Sequence, residues 1–217
     1  MIEVKKMKKI IFSFVPMKKL GENNLLDYGD TGNIKSQCHQ KVRFGLNAAL
    51  CDEIAEDDEV KIVLIKTVTG KEELNKNADE NIENFKSEFE KIYKRKCQPE
   101  ILEASFSETK KDLETVYRAL LGQLEEGAEI YADTTFGPRL NLMIIMNVLN
   151  FAERFFDSDI RMILNTKVLF DKENKPIEGT QELFDVSPFY YLNNLTNSMQ
   201  AEDGEAALKT LDAFFKL

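Results

Sequence analysis

The residues best suited to chemistry stand together in one short segment, Asp133 to Arg139, which lies between two apolar runs. Two Thr hydroxyls, a Gly that lets backbone approach a ligand closely, and the forked guanidinium of Arg139 all suit a phosphate. Free backbone N–H groups at the start of a following helix would also favour an anion. The segment therefore predicts a phosphate-binding loop, although an ordinary strand-to-helix turn with a solvated Arg139 would use the same residues.

Five apolar runs predict the strands that would hold this loop. They lie at 9–15, 60–67, 100–106, 129–133 and 160–166. Segments with helical periodicity separate them, which is the pattern of an α/β protein with a parallel sheet. The fold prediction is a Rossmann-like, doubly wound, mainly parallel sheet, in which the loop after a strand is the usual ligand site.

Helical periodicity also predicts where the connecting helices lie. We expect helices from near Ser36 to Ile54, at 71–95, from a cap at Ser107 or Thr109 to Gly127, at 140–156, from Ser187 with Pro188 in its first turn, and at 203–217. Residues 168–186 predict a polar-tipped hairpin or an extended excursion about 172–176. The expected organisation is one domain at 1–200, with a small C-terminal helix at 201–217 packed on it.

Composition and charge exclude several classes of protein. Of 217 residues, 29 are Lys or Arg and 38 are Asp or Glu, which gives a net charge of −9. That balance disfavours nonspecific binding to long nucleic acid, which needs an excess of cations against the phosphates. It does not exclude a small anionic ligand held by a local site.

The sequence contains no motif that indicates a bound metal, a bound cofactor or a membrane-spanning segment. The cysteines Cys38, Cys51 and Cys97 lack CxxC spacing, and the single His, His39, adjoins Cys38 without chelating geometry. No G-x-G-x-x-G or G-x-x-x-x-G-K-[ST] loop is present. The first apolar run is too short to span a bilayer. With an odd number of cysteines and no disulfide framework, we expect a cytoplasmic protein without metal or cofactor.

The loop also carries a family resemblance. Asp133-Thr134-Thr135-Phe136-Gly137-Pro138-Arg139 resembles the signature loop of the CARF (CRISPR-associated Rossmann fold) proteins of the Csx type, written D-[hydrophobic]-T-H-G-[aromatic]-R. Phe136 stands where the family has His, and Pro138 where it has an aromatic residue. The first strand, its loop with Tyr28 and the following QKVRFGLNAAL are similar to the opening of the family, and ELFDVSPFYYLNNL is similar to its D-[hydrophobic]-[ST]-P-[hydrophobic] element.

This resemblance implies a homodimer that binds a cyclic oligoadenylate, the second messenger of type III CRISPR antiviral defence, on its two-fold axis. The ligand would be cyclic tetra- or hexa-adenylate. Carried over by position, the ligand-binding residues are Ser13, Phe14, Thr134, Thr135, Phe136, Gly137, Arg139, Thr166 and Lys167. Part of the apolar helix at 140–156 would then face the partner subunit, or else pack only against the sheet.

Several CARF proteins also cleave the ring, and little chain follows residue 200 to form an effector. The expected enzyme is therefore a metal-independent ring nuclease, in which a ribose 2′-hydroxyl attacks the adjacent phosphate in line. Ser13, Arg139 and Lys167 would orient that hydroxyl and stabilise the developing charge. Two alternatives stay open: a non-catalytic sensor that regulates an effector, and a Rossmann-like domain with an unrelated small anion or no ligand.

Overall fold

Six strands form one sheet in the computed structural model, which describes residues 7–29, 32–36, 38, 40–173 and 175–215. The strands are β1 (Lys8–Val15), β2 (Glu59–Val68), β3 (Glu100–Ser105), β4 (Glu129–Asp133), β5 (Asp159–Lys167) and β6 (Glu182–Asp185). Their order is β3-β2-β1-β4-β5-β6. The first five are parallel, and β6 runs antiparallel to β5. The prediction of an α/β, Rossmann-like, mainly parallel sheet is confirmed.

Strand β1 lies between β2 and β4, and every residue of it after Lys8 is buried. A parallel strand covered on both faces reads as a continuous apolar run, which is why the sequence pattern located it. The chain winds from β1 out to β3 on one side and returns to β4 on the other. The direction of winding therefore reverses between β1 and β4, where such sheets bind ligands.

The helices that follow these strands are α1 (Gly45–Ala49), α2 (Glu72–Tyr93), α3 (Lys110–Leu121) and α4 (Arg139–Phe155). Phe85 and Phe89 are among the buried residues of α2, as its periodicity predicts. Thr109 caps α3, because its side chain accepts a hydrogen bond from the backbone N–H of Asp112. Helix α4 begins at Arg139, directly after Pro138.

The predicted first helix was wrong in extent, since α1 has only five residues. Val42 forms two backbone hydrogen bonds with Leu26, each 2.9 Å long. The backbone N–H groups of Arg43 and Phe44 donate to the carboxylate of Glu88, at 2.8 and 3.2 Å. These bonds hold residues 42–44 in extended backbone, so the helix starts only at Gly45. Helix α3 also ends early, at Leu121 rather than at Gly127.

The predicted excursion forms a hairpin, here residues 168–181. Phe170 pairs with Pro176 in an antiparallel bridge, and the N–H of Ile177 donates to the carbonyl of Leu169 at 2.8 Å. Strand β6 follows the hairpin and joins the sheet, which the sequence pattern did not indicate.

The outer edge of β6 is covered by the loop that contains Asn33. The N–H of Asn33 donates to the carbonyl of Leu183 at 3.1 Å. Its side-chain amide donates to the carbonyl of Asp185 at 3.0 Å and accepts from the N–H of Asp185 at 2.7 Å. The loop therefore occupies the backbone groups that an edge strand usually leaves free.

The chain divides into two compact units, Met1–Val186 and Ser187–Leu217. The second unit contains α5 (Ser187–Ser198) and α6 (Gly204–Phe214), and Asp203 caps α6 by accepting from the N–H of Ala206 at 2.8 Å. The predicted boundary at residue 200 falls between these helices, and the packing of 201–217 on the domain stays a prediction. Within the described residues, no helix combines the length and apolar character needed to cross a membrane.

Candidate functional site

A cleft of about 440 Å³ opens where β4 and β5 end. Thr135 and Phe136 of the loop after β4 line it, together with residues 165–168 at the end of β5. The rest of the wall comes from the segment 20–28, from Arg43, from the hairpin and from Phe184. The cleft therefore lies at the sheet edge where ligands of open α/β folds bind.

Four of the predicted ligand-binding residues share this wall: Thr135, Phe136, Thr166 and Lys167. The hydroxyl of Thr135 accepts a hydrogen bond from the N–H of Thr166 at 2.9 Å, which joins the loop to the end of β5. Lys167 is exposed and forms an ion pair with Glu182, whose oxygen lies 3.0 Å from Nζ. The structure thus brings together the residues that the sequence placed after two neighbouring strands.

Ser13 lies instead in the interior, opposite Asp133 in the register of β1 and β4. Its hydroxyl donates to Oδ2 of Asp133 at 3.1 Å, and the N–H of Thr135 donates to Oδ1 at 2.9 Å. Burial raises the pKa of the Asp133 carboxyl, while hydrogen bonds from Thr135 and Ser13 partly offset that rise. Ser13 and Asp133 therefore support the loop from inside the fold.

Thr134 and Phe14 also support the loop rather than line the cleft. The N–H and the hydroxyl of Thr134 both donate to the carbonyl of Leu164, each at 2.8 Å. Phe14 is buried against Gly137, whose φ of +99° is a conformation that few residues other than glycine adopt. These contacts fix the path of the chain from β4 to α4.

Arg139 is exposed at the first position of α4 and has no hydrogen bond or ion pair to any residue that the structure describes. It does not line the cleft, and neither does Ser13. The three residues predicted to be catalytic therefore occupy three settings: Ser13 is inside, Arg139 is exposed on the helix, and Lys167 is in the cleft wall. Their catalytic roles stay predictions.

The main cation that sequence reasoning missed is Arg43. One guanidinium nitrogen of Arg43 lies 3.9 Å from Oε2 of Glu88, and its buried Nε has no hydrogen-bond partner among the described residues. Arg43 lines both the cleft and a second cavity of about 390 Å³, which residues of α2 also line. A lone Arg between the apolar residues Val42 and Phe44 was the available signal, but the predicted helix over this segment gave Arg43 no role.

Glu88 positions Arg43 within the fold. Its carboxylate is buried and accepts from two backbone N–H groups and from the side-chain amide of Asn47, at 3.0 Å. Burial raises the pKa of Glu88, and these hydrogen bonds together with the nearby Arg43 oppose the rise. The guanidinium therefore faces the cleft from a segment that Glu88 holds in place.

Within the described ranges, no group of three or more His, Cys, Asp or Glu side chains is arranged to hold a metal ion. His39 lies outside the described residues.

Replacing Asp133 with Asn should change how stability depends on pH. Because the pKa of Asp133 is raised in the folded state, this carboxyl stabilises the protein most below its unfolded pKa of about 3.9, and that contribution is lost as pH rises through the folded pKa. We expect the difference in Tm, wild type minus Asp133→Asn, to decrease by about 3 °C or more as the pH rises from 4 to 7. Circular dichroism melts at several pH values measure it.

Asp57→Asn is the control, because the side chain of Asp57 is exposed to solvent in the folded protein as it is in the unfolded chain. The corresponding difference for Asp57→Asn should stay flat over the same pH range. A flat difference for Asp133→Asn as well would mean that Asp133 is solvated in the folded protein.

Comparison with protein-family models and with curated protein sequences finds no match to the chain.

Proposed function

We propose that the protein binds a cyclic oligoadenylate at the cleft and the adjoining loop, as the resemblance of residues 133–139 to the CARF signature implies. The observation that carries the proposal is the convergence of Thr135 and Phe136 with Thr166 and Lys167 in one cleft wall, at the carboxyl ends of β4 and β5. Arg43 adds a second cation to the same wall. Hydroxyl groups and cations at a strand-end cleft are what a phosphodiester ligand requires.

The net charge of −9 is compatible with this ligand, because affinity for a small anion depends on the local field. Two cations, Arg43 and Lys167, line the cleft, and Arg139 is exposed at the neighbouring helix start. Glu88 and Glu182 pair with Arg43 and Lys167, but no Asp or Glu is among the described residues that line the cleft. Long nucleic acid would still be repelled by the rest of the surface.

A homodimer is part of the proposal, because a ring on a two-fold axis would contact the same residues twice. Helix α4 buries Ile145, Val148 and Leu149 but leaves Met143 63% and Phe155 59% exposed. Exposed apolar side chains on this helix suit contact with a second copy of the chain. Association through α4 would place the two signature loops on the same interface, since the loop leads directly into that helix.

The geometry favours binding over cleavage. In-line attack by a 2′-hydroxyl needs groups that hold the phosphate and neutralise charge around one reacting centre. Ser13 is only 3% exposed and donates its hydroxyl to Asp133, so in this conformation it does not present a donor to the cleft. We therefore propose a non-catalytic sensor as the main function and a ring nuclease as the second candidate.

Isothermal titration with cyclic tetra- and hexa-adenylate tests the proposal. We expect one ring to bind per two chains, and we expect Arg43→Ala and Arg139→Ala each to weaken binding by about tenfold or more, since charge-assisted hydrogen bonds to phosphate are lost. Arg118→Ala is the control, because Arg118 is an exposed residue of α3 that does not line the cleft. Light scattering reports the oligomeric state, and chromatography of the incubated ligand reports cleavage.

Intact ligand after prolonged incubation would identify a sensor, and linear products would identify a ring nuclease. Absence of binding by both rings to the folded wild type would overturn the proposal. It would leave the Rossmann-like domain with a different small anion or none.

A further inference from the structure

Four aromatic side chains line the cleft. Phe136, Phe170, Phe184 and Tyr28 all line it, with Val168 and Pro176 beside them. Phosphate alone needs N–H groups, hydroxyls and cations, and gains nothing from aromatic rings. A planar base, in contrast, stacks on such rings whatever its sequence identity. The composition of the wall therefore indicates a ligand with an aromatic part.

Phe170 is the ring best placed for stacking. It is 50% exposed although it is a large apolar side chain, and it stands on the hairpin at the edge of the cleft. Nζ of Lys18 lies 5.5 Å from the centroid, over one face of the ring. An ion pair of 2.7 Å between Lys41 and Glu178 links the hairpin to the segment before Arg43.

Two amide side chains supply complementary hydrogen-bonding groups in the same wall. Asn24 accepts from the N–H of Gly21 through Oδ1 at 3.0 Å, and Asn165 donates through Nδ2 to the carbonyl of Thr134 at 3.4 Å. Among the described residues, Nδ2 of Asn24 and Oδ1 of Asn165 then have no partner. They are one donor and one acceptor, and the edge of a nucleobase carries both kinds of group.

We infer that the cleft takes the base of one nucleotide, that this base stacks on Phe170, and that its phosphate lies toward Arg43 and Lys167. Phe170 is then a specificity-determining residue that separates nucleotides from other phosphorylated compounds. The inference deepens the proposed function and rests on it for the nature of the ligand, but it concerns the base and not the closed ring. A volume of about 440 Å³ falls in the range of small-ligand sites.

Titration of the full chain with adenosine 5′-monophosphate and with ribose 5-phosphate tests the inference. The two probes share the phosphate and the sugar and differ by the base. We expect the nucleotide to bind at least about tenfold more tightly than the sugar phosphate, and Phe170→Ala to remove that difference. Phe170→Trp should keep the difference in affinity between the two probes, because Trp also offers a ring for stacking. A merely structural role for Phe170 would not require this result.

Phe106→Ala is the matched control, because Phe106 is 53% exposed at the end of β3 and does not line the cleft. Thermal melts of both Ala variants check that the fold is intact. Equal affinity for the two probes in the wild type would overturn the inference, as would full discrimination by Phe170→Ala.

The same variants separate this inference from the proposed function. If the nucleotide binds through Phe170 but neither cyclic ring binds, the base site stands and the cyclic ligand is wrong. If a ring binds equally well to the wild type and to Phe170→Ala, the proposed function stands and the base site is wrong.

Discussion

Gly137→Ala should lower the free energy of unfolding by about 2–4 kcal/mol. The φ of +99° at this position is strained for any residue with a Cβ. A Cβ there would also lie 2.8 Å from Cγ and 3.0 Å from Cβ of Phe14. Phe14 is 1% exposed on the interior strand β1, so its ring has no room to move aside. Urea denaturation followed by circular dichroism measures the change.

Gly70→Ala is the control for Gly137→Ala. Gly70 precedes α2, and a Cβ built there would meet nothing within 4 Å. Its φ lies outside the left-handed region, so we expect Gly70→Ala to be neutral or slightly stabilising. Equal stability of the two variants would mean that the loop after β4 relaxes freely, and the support that we assign to Phe14 would be wrong.

Lys9→Met should cost about 3–5 kcal/mol, the usual effect of removing one partner from a buried ion pair. Lys9 is 8% exposed, and its Nζ lies 2.8 Å from Asp58 and 3.5 Å from Glu129. It also donates to the carbonyl of Glu53. Met fills most of the volume of Lys but leaves Asp58 without its ion-pair partner, while Glu129 keeps Arg161 at 3.7 Å, so the loss is electrostatic rather than steric. Urea denaturation at neutral pH gives the value.

Lys8→Met is the neighbouring control. Lys8 pairs with Glu125 at 3.2 Å, but its side chain is 48% exposed, so water screens the pair and the expected cost is below about 1 kcal/mol. Lys9 and Glu129 stand at the starts of β1 and β4, at the opposite end of the sheet from the cleft. Ligand binding by folded Lys9→Met should therefore match the wild type. A cost no larger than that of Lys8→Met would show that the cluster is solvated.

The strands could be predicted from sequence because parallel strands covered on both faces leave continuous apolar runs. The run at 129–133 coincides with β4, and the run at 9–15 differs from β1 by one residue. Helix α2 was equally clear from its 3.6-residue period. In each of these cases the burial pattern of one segment is enough to define the element.

Elements that depend on distant partners could not be predicted in this way. The carboxylate of Glu88 accepts hydrogen bonds from the N–H groups of Arg43 and Phe44, which are 45 and 44 residues away in the sequence. Helix α1 therefore begins later than its periodicity predicts. Strand β6 has four residues and only one fully buried apolar side chain, Leu183, so no run marks it. Tertiary contacts decide both outcomes, and a local pattern does not contain them.

The candidate site also has a part that the sequence indicated and a part that depends on distant contacts. The loop at 133–139 is contiguous, so its residue types indicated an anion site directly. Arg43 reaches the cleft from the long connection between β1 and α1, and Phe170 from the hairpin after β5, and only the folded chain brings both beside Thr135. Ser13 was predicted at the right strand end, but the alternation of side chains along β1 turns it toward Asp133.

Asn33 has a consequence for self-association. Exposed edge strands are templates for further strands, and chains that leave them open tend to extend their sheets or aggregate. The loop occupies the carbonyl of Leu183 and both backbone groups of Asp185, so this margin cannot recruit an incoming β-strand. Continuous sheets across two subunits are thereby ruled out at β6, and assembly there must proceed through side chains.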